Sequence, residues 1–185
     1  MGIFLDPLEA EKRIFIFLPV NDCTQVESPG GSHWSLLVYC KNEDTFFHYD
    51  SSSGSNYSHA KQLAMKLSKF LSPEEAAFVQ PDTLQQKNGY DCGIHVLCNV
   101  DNIAEHCAEH NRVEGAGQCR QSQVDKKRME VLQLIFQLKE DKASVLNLTA
   151  KTERTVGDVG VQELCSSFKD CPIGCHWYKN LESQD

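Results

Sequence analysis

An α+β fold with a mixed or antiparallel central sheet and flanking helices follows from three observations. The chain opens with three apolar runs rich in β-branched or aromatic residues, RIFIFLPV (13–20), WSLLVYC (34–40) and TFFHYD (45–50). A loop of hairpin length, KNED, joins the second run to the third. Segments of helical period follow the strands instead of alternating regularly with them, which is the α+β pattern.

The strands are bounded by Asn, Asp, Gly or Pro, as strands usually are. From Ser58, a candidate N-cap, the period changes: Leu63, Leu67, Phe70 and Leu71 are spaced for one helical face. AAFVQ (76–80) reads as another short strand. Cys92 opens a second helix whose stripe is Val96, Val100, Ile103 and Cys107. The polar segment 110–122 reads as a loop. Met129 to Leu138 then forms a further amphipathic helix through Val131, Leu134, Ile135 and Leu138. Beyond Asp141 the periodicity weakens, so residues 1–141 are expected to form one domain and 142–185 a divergent, loosely ordered tail.

At 185 residues, one domain with a sizeable core is expected. A formal charge of −8 argues against a nucleic-acid partner, because such proteins gain affinity by neutralising phosphates with clustered Lys and Arg. No run of about 18 apolar residues is present to span a membrane, and the N-terminus fits neither a signal peptide nor a myristoylation signal. The nine cysteines are therefore read in a reducing compartment, cytoplasm or nucleus, where thiols persist.

The hairpin carries the first chemical inference. If Cys40 opposes Thr45, paired numbers sum to about 85, as antiparallel register requires, and Asp50 lies opposite Ser35. His33 is then on the same face as Asp50 and diagonal to it; a slip of one residue would put the two on opposite faces. A carboxylate fixes one imidazole tautomer and favours its charged form, which suits a general base. The pair also reads as a loop cap beside a strand end, and such pairings are common at sheet rims.

A thiol at Cys92 supplies a third element, since a helix start offers unpaired amides and the positive end of the dipole. Cys92 follows the turn signal Asn88-Gly89 and precedes Gly93, which leaves space near the sulfur. The alternative is a buried structural cysteine, the role expected of Cys98 and Cys107. A thiolate attacking a carbonyl needs oxyanion donors; the Cys92 amide is one candidate and the Gln86 side chain another, although Gln85 serves as well by composition alone.

HW before an apolar strand, D-S after the next strand, and Q-Q-x-N-x-x-D-C-G before a helix occur here in the order His, Asp, Cys. Together these resemble the sentrin-specific protease family, cysteine proteases that process ubiquitin-like modifiers. GGSHWSLLVY and FFHYDS look most like its deneddylase branch. The resemblance covers roughly residues 12 to 141 and implies the adenain-like fold of the ubiquitin-like proteases. It also implies Cys92 as nucleophile, His33 as general base, Asp50 as its orienting residue and Gln86 as oxyanion donor. Trp34 would roof the channel for the substrate's terminal Gly-Gly, a position where the residues alone favour a core aromatic. The implied enzyme is a cysteine isopeptidase that cleaves after the Gly-Gly of the neddylation modifier, on cullins or in the precursor. It would use no metal or cofactor and act as a monomer. A SUMO-directed protease and a weakened form that only binds a modifier are the alternatives.

Two features depart from the family pattern. Nothing in the twelve residues before Arg13 resembles the family's modifier-gripping segment, so either the chain is truncated or the grip comes from elsewhere; the expectation is an assembled triad with impaired substrate affinity and folding. Near the C-terminus, Cys165, Cys171, Cys175 and His176 invite a zinc site, but only Cys171 and Cys175 have a workable spacing.

Overall fold

The computed structural model describes residues 8–24, 30–72 and 75–155, with side chains described through residue 142. The chain divides into two compact units, residues 1–135 and 136–185. In the first, a short 3-10 helix (Ala10–Lys12) precedes β1 (Phe15–Asn21), β2 (Trp34–Cys40) and β3 (Thr45–Tyr49). These are followed by α1 (Tyr57–Leu71), β4 (Ala77–Val79), α2 (Cys92–His110) and α3 (Gln121–Thr155), the last continuing into the second unit.

The sheet order is β1-β2-β3-β4, with β1, β2 and β3 antiparallel and β4 added parallel to β3. It is therefore mixed, because α1 supplies the crossover that a parallel neighbour needs. β1 carries Pro19, whose missing N–H is tolerated on an edge strand. β2 pairs on both sides and its Leu36, Leu37 and Val38 are fully buried. That double burial is why WSLLVYC is continuously apolar instead of alternating.

Each face of the sheet is covered by one helix. Ala60, Ala64 and Leu67 of α1 pack with Val20, Leu37, Tyr39 and Phe46. On the other face Val96, Ile103 and Cys107 of α2 pack with Leu36, Val38, Phe47 and Tyr49, as the predicted stripe requires, with Val100 partly buried beside them.

The helix starts and faces differ from expectation in three places. Helix α1 begins at Tyr57, so Asn56 and not Ser58 holds the N-cap position, and Phe70 is exposed while Ala60 and Ala64 do the packing. Helix α3 begins at Gln121, earlier than Met129, and is anchored by the buried Val124 against Cys98 and Cys119. Its expected apolar face is open, with Leu134, Ile135 and Leu138 all exposed. The helix runs past Asp141 to Thr155; Cys165, Cys171, Cys175 and His176 lie outside the described residues.

Candidate active site

The β2–β3 ladder has the predicted register, Cys40 opposite Thr45 and Leu36 opposite Tyr49. His33 and Asp50 consequently meet at one sheet edge, with His33 Nε2 2.6 Å from Asp50 Oδ1. Both side chains are almost wholly buried. Burial by itself pushes the Asp50 carboxyl up, but the Asn56 N–H, the His33 ring and the Ser52 N–H outweigh it and hold the acid below its ordinary value. An ionised Asp50 accepts from His33 Nε2–H, which leaves Nδ1 as the imidazole's free lone pair.

Several side chains fix this edge. Asp22 accepts from the Ser32 N–H, the Ser32 hydroxyl and the His33 N–H, at 2.6, 2.7 and 3.0 Å. The Ser32 hydroxyl is the first of the contacts that lower its acid to about 2. Gly31 has φ +85°, and a side chain there would collide with Asn21. Asn56 is completely buried. Its backbone N–H donates to Asp50 Oδ2 at 2.9 Å, and its amide lies within 3.2 Å of the Val20 and His33 carbonyls and Ser35 Oγ. Behind it, the buried His48 ring bridges Ser35 Oγ and the Gln80 amide, each at 3.0 Å.

Cys92 is the first residue of α2, 7% exposed, and a side chain added at the neighbouring Gly93 would meet nothing within 4 Å. Burial pushes the Cys98 and Cys107 thiols up to about 11, as suits structural cysteines. The loop before Cys92 is tied to the His–Asp edge: the Gln86 N–H donates to the Ser51 carbonyl, and the Ser51 hydroxyl donates to Gln86 Oε1, both at 2.8 Å. The two glutamines are now distinguishable. Gln85 Nε2 spends its hydrogens on the Asp50 and Thr83 carbonyls. Gln86 Nε2 donates to the Asn88 carbonyl at 2.7 Å and has, among the described residues, no partner for its second hydrogen.

Trp34 opens β2 directly after His33 and is 45% exposed, so it is not the core aromatic that the residues alone favoured. Sequence reasoning passed over Asn56, because an Asn in the Ser- and Gly-rich stretch 51–55 reads as a solvated turn residue. It also passed over Arg128, whose partner Asp91 lies far away in sequence.

The profile of the Ulp1 protease family, C-terminal catalytic domain, matches residues 11–142. Sentrin-specific protease 8 of Homo sapiens is 44% identical over 108 residues, which are 57% of this chain and 50% of that protein. The Rattus norvegicus protein of the same name is 38% identical over 140 residues, 75% of this chain and 64% of that one. NEDD8-specific protease 1 of Arabidopsis thaliana is 47% identical over 104 residues, 55% and 46% respectively. The C-terminal Ulp1 protease domain in complex with Smt3, the yeast ortholog of SUMO, overlays 68% of this chain on 54% of its own at 24% identity, with a TM-score of 0.47. The chain thus spans about half to two-thirds of the length of these curated relatives. Its matched segment holds the hairpin, the His33–Asp50 edge and the Cys92 helix, and the chain belongs to the Ulp1 protease family.

Proposed function

We propose that this chain is a cysteine-type peptidase that cleaves after the C-terminal Gly-Gly of a ubiquitin-like modifier, the neddylation modifier first among them. The observation that carries the proposal is the buried 2.6 Å contact between His33 and Asp50, at a sheet edge to which the Gln86 loop before Cys92 is bonded. His33 Nδ1 takes the Cys92 proton, and the thiolate attacks the carbonyl carbon of the last glycine. The oxyanion is met by the Cys92 N–H and the spare hydrogen of Gln86 Nε2. The C–N bond then breaks, the amine leaves with the proton from His33, and water hydrolyses the thioester to free thiol and carboxylate.

Trp34 is the residue proposed to cover an extended Gly-Gly segment; its exposure next to His33 supports this, since residues without side chains pass most closely beneath a flat aromatic. Resemblance to NEDD8-specific proteases supports the neddylation modifier as the group removed. Cullin conjugates or the modifier precursor as substrates, a monomeric state and a reducing compartment complete the proposal.

The purified protein is incubated with three modifier probes bearing a C-terminal electrophile, for the neddylation modifier, SUMO and ubiquitin, alongside Cys92→Ala. Labelling at Cys92 by the first probe is expected. Labelling by the SUMO probe alone reassigns the substrate, and a folded sample that no probe labels overturns the enzymatic proposal.

A further inference from the structure

Asp91 stands at the N-cap of α2, where an aspartate ordinarily turns its carboxylate onto the amides of the first helical turn. Here it makes no capping bond. One oxygen accepts from Asn88 Nδ2 at 2.6 Å and the other is paired with the Arg128 guanidinium of α3. Asn88 holds the loop shut, its Oδ1 accepting from the Tyr90 N–H at 3.1 Å and the Asp91 N–H at 2.9 Å. Arg128 in turn lies over the Tyr90 ring, 5.3 Å from its centroid. No described side chain accepts from the amides of Cys92, Gly93 or Ile94.

We propose that Arg128 is a positioning residue that holds the Asp91 carboxylate off the start of α2, keeping its negative charge away from the Cys92 sulfur and from the Cys92 N–H that faces the oxyanion. The inference rests on Cys92 being the nucleophile. Released from Arg128, the Asp91 carboxylate is free to swing towards the start of α2, and a full capping pose needs in addition that its backbone turn from ψ 0° to the extended region. At the helix start the carboxylate would stabilise the helix and harm the site twice. Its charge would sit beside the Cys92 N–H that the oxyanion requires, and near the sulfur, where it disfavours the thiolate. Loss of Arg128 should therefore cost reactivity without costing stability, the reverse of what loss of a merely structural ion pair does.

The test uses the full chain as wild type, Arg128→Ala, Arg128→Lys and the double variant Arg128→Ala/Asp91→Ala. It has two readouts: Cys92 alkylation by iodoacetamide, followed by mass spectrometry, and the thermal midpoint. Arg128→Ala is expected to slow alkylation about tenfold with an unchanged or higher midpoint, and Arg128→Lys to keep most of the wild-type rate. Removing the displaced carboxylate should rescue the defect, bringing the double variant to within about threefold of wild type, which two additive losses cannot do. A wild-type alkylation rate in Arg128→Ala, or a double variant as slow as the single one, overturns the proposal. Should Arg128→Ala not fold, Arg128→Gln carries the same comparison. Alkylation needs no modifier, so this pattern in a chain that no modifier probe labels would sink the proposed function while sustaining the role of Arg128.

Discussion

His33 and Asp50 are set by the β2–β3 ladder, in which backbone bonds decide which residues face each other, whereas Gln86 and Cys92 are delivered by a loop and a helix start. The ladder leaves the His–Asp edge little freedom, because a shift of one residue would turn every side chain of β3 to the other face. The loop side has no such constraint. It is held by side-chain bonds from Ser51, Asn88 and Arg128, and each of these can be removed without undoing the sheet. The base half of the site should therefore fail through its chemistry alone, and the nucleophile half through geometry that one side chain can change.

The largest effect tests the first half. Asp50→Asn keeps the shape of the side chain but offers His33 an amide, so the tautomer with a free Nδ1 is no longer enforced. Probe labelling should fall by roughly 10³- to 10⁴-fold. Asp44, at the closed end of the same hairpin, has a carboxylate that accepts from the Tyr39 and Ser72 hydroxyls. Asp44→Asn should leave labelling within about threefold of wild type, as a change distant from the chemistry does. Equal losses in the two variants would refute the orienting role of Asp50.

On the loop side the informative pair is Gln86 and Gln85. Gln86→Ala removes the proposed oxyanion donor, and on that proposal should slow turnover by about 10²- to 10³-fold. Gln85→Ala instead strips the Asp50 and Thr83 carbonyls of a donor and should appear as a loss of about 1–2 kcal/mol in denaturant unfolding. If Gln85→Ala proves the slower enzyme and the more stable protein, the two assignments are reversed.

This contrast also explains what the sequence could tell. The register could be read because KNED closes a hairpin whose apolar strands admit one pairing, and His33 and Asp50 followed from arithmetic on that pairing. Cys92 was legible as the junction between a turn signal and a helical stripe. Asn56 and Arg128 were not, because their partners are distant in sequence and polar side chains default to solvent in any reading of hydrophobic period. What covers the face of α3 was not legible for a related reason: period shows that a helix has an apolar side, not whether anything packs on it.

Acid should act through His48, behind the His–Asp edge. Burial, more than any neighbouring charge, lowers His48 from 6.5 to about 4, so the unfolded chain takes up this proton before the folded one does. Its contribution is complete above pH 6.5 and is lost as pH falls towards 4, a decline on the order of 3 kcal/mol. The depressed Asp50 acid has the same sign, with its contribution lost as pH falls through its own lowered value. Unfolding measured against pH should therefore flatten between about 6.5 and 4 in His48→Gln. An unchanged slope would mean that the ring takes up its proton in the folded state.

The smallest effect concerns how α3 supports the nucleophile side. Its first turns engage the rest of the unit through the buried Val124, through Arg128 on Asp91 and through Lys127 2.7 Å from Asp101, while Leu134 and Ile135 further along stay exposed. Val124→Ala opens a void beside Cys98 and Cys119 and should cost about 2 kcal/mol, with some loss of labelling as the helix loosens its hold on the loop. Leu134→Gln exchanges one exposed helix-forming side chain for another and should change stability by less than about 0.5 kcal/mol, leaving labelling unaffected. If Leu134→Gln costs as much as Val124→Ala, the apolar face of α3 is packed in solution, and the loop side is held along a greater length of that helix than its first turns.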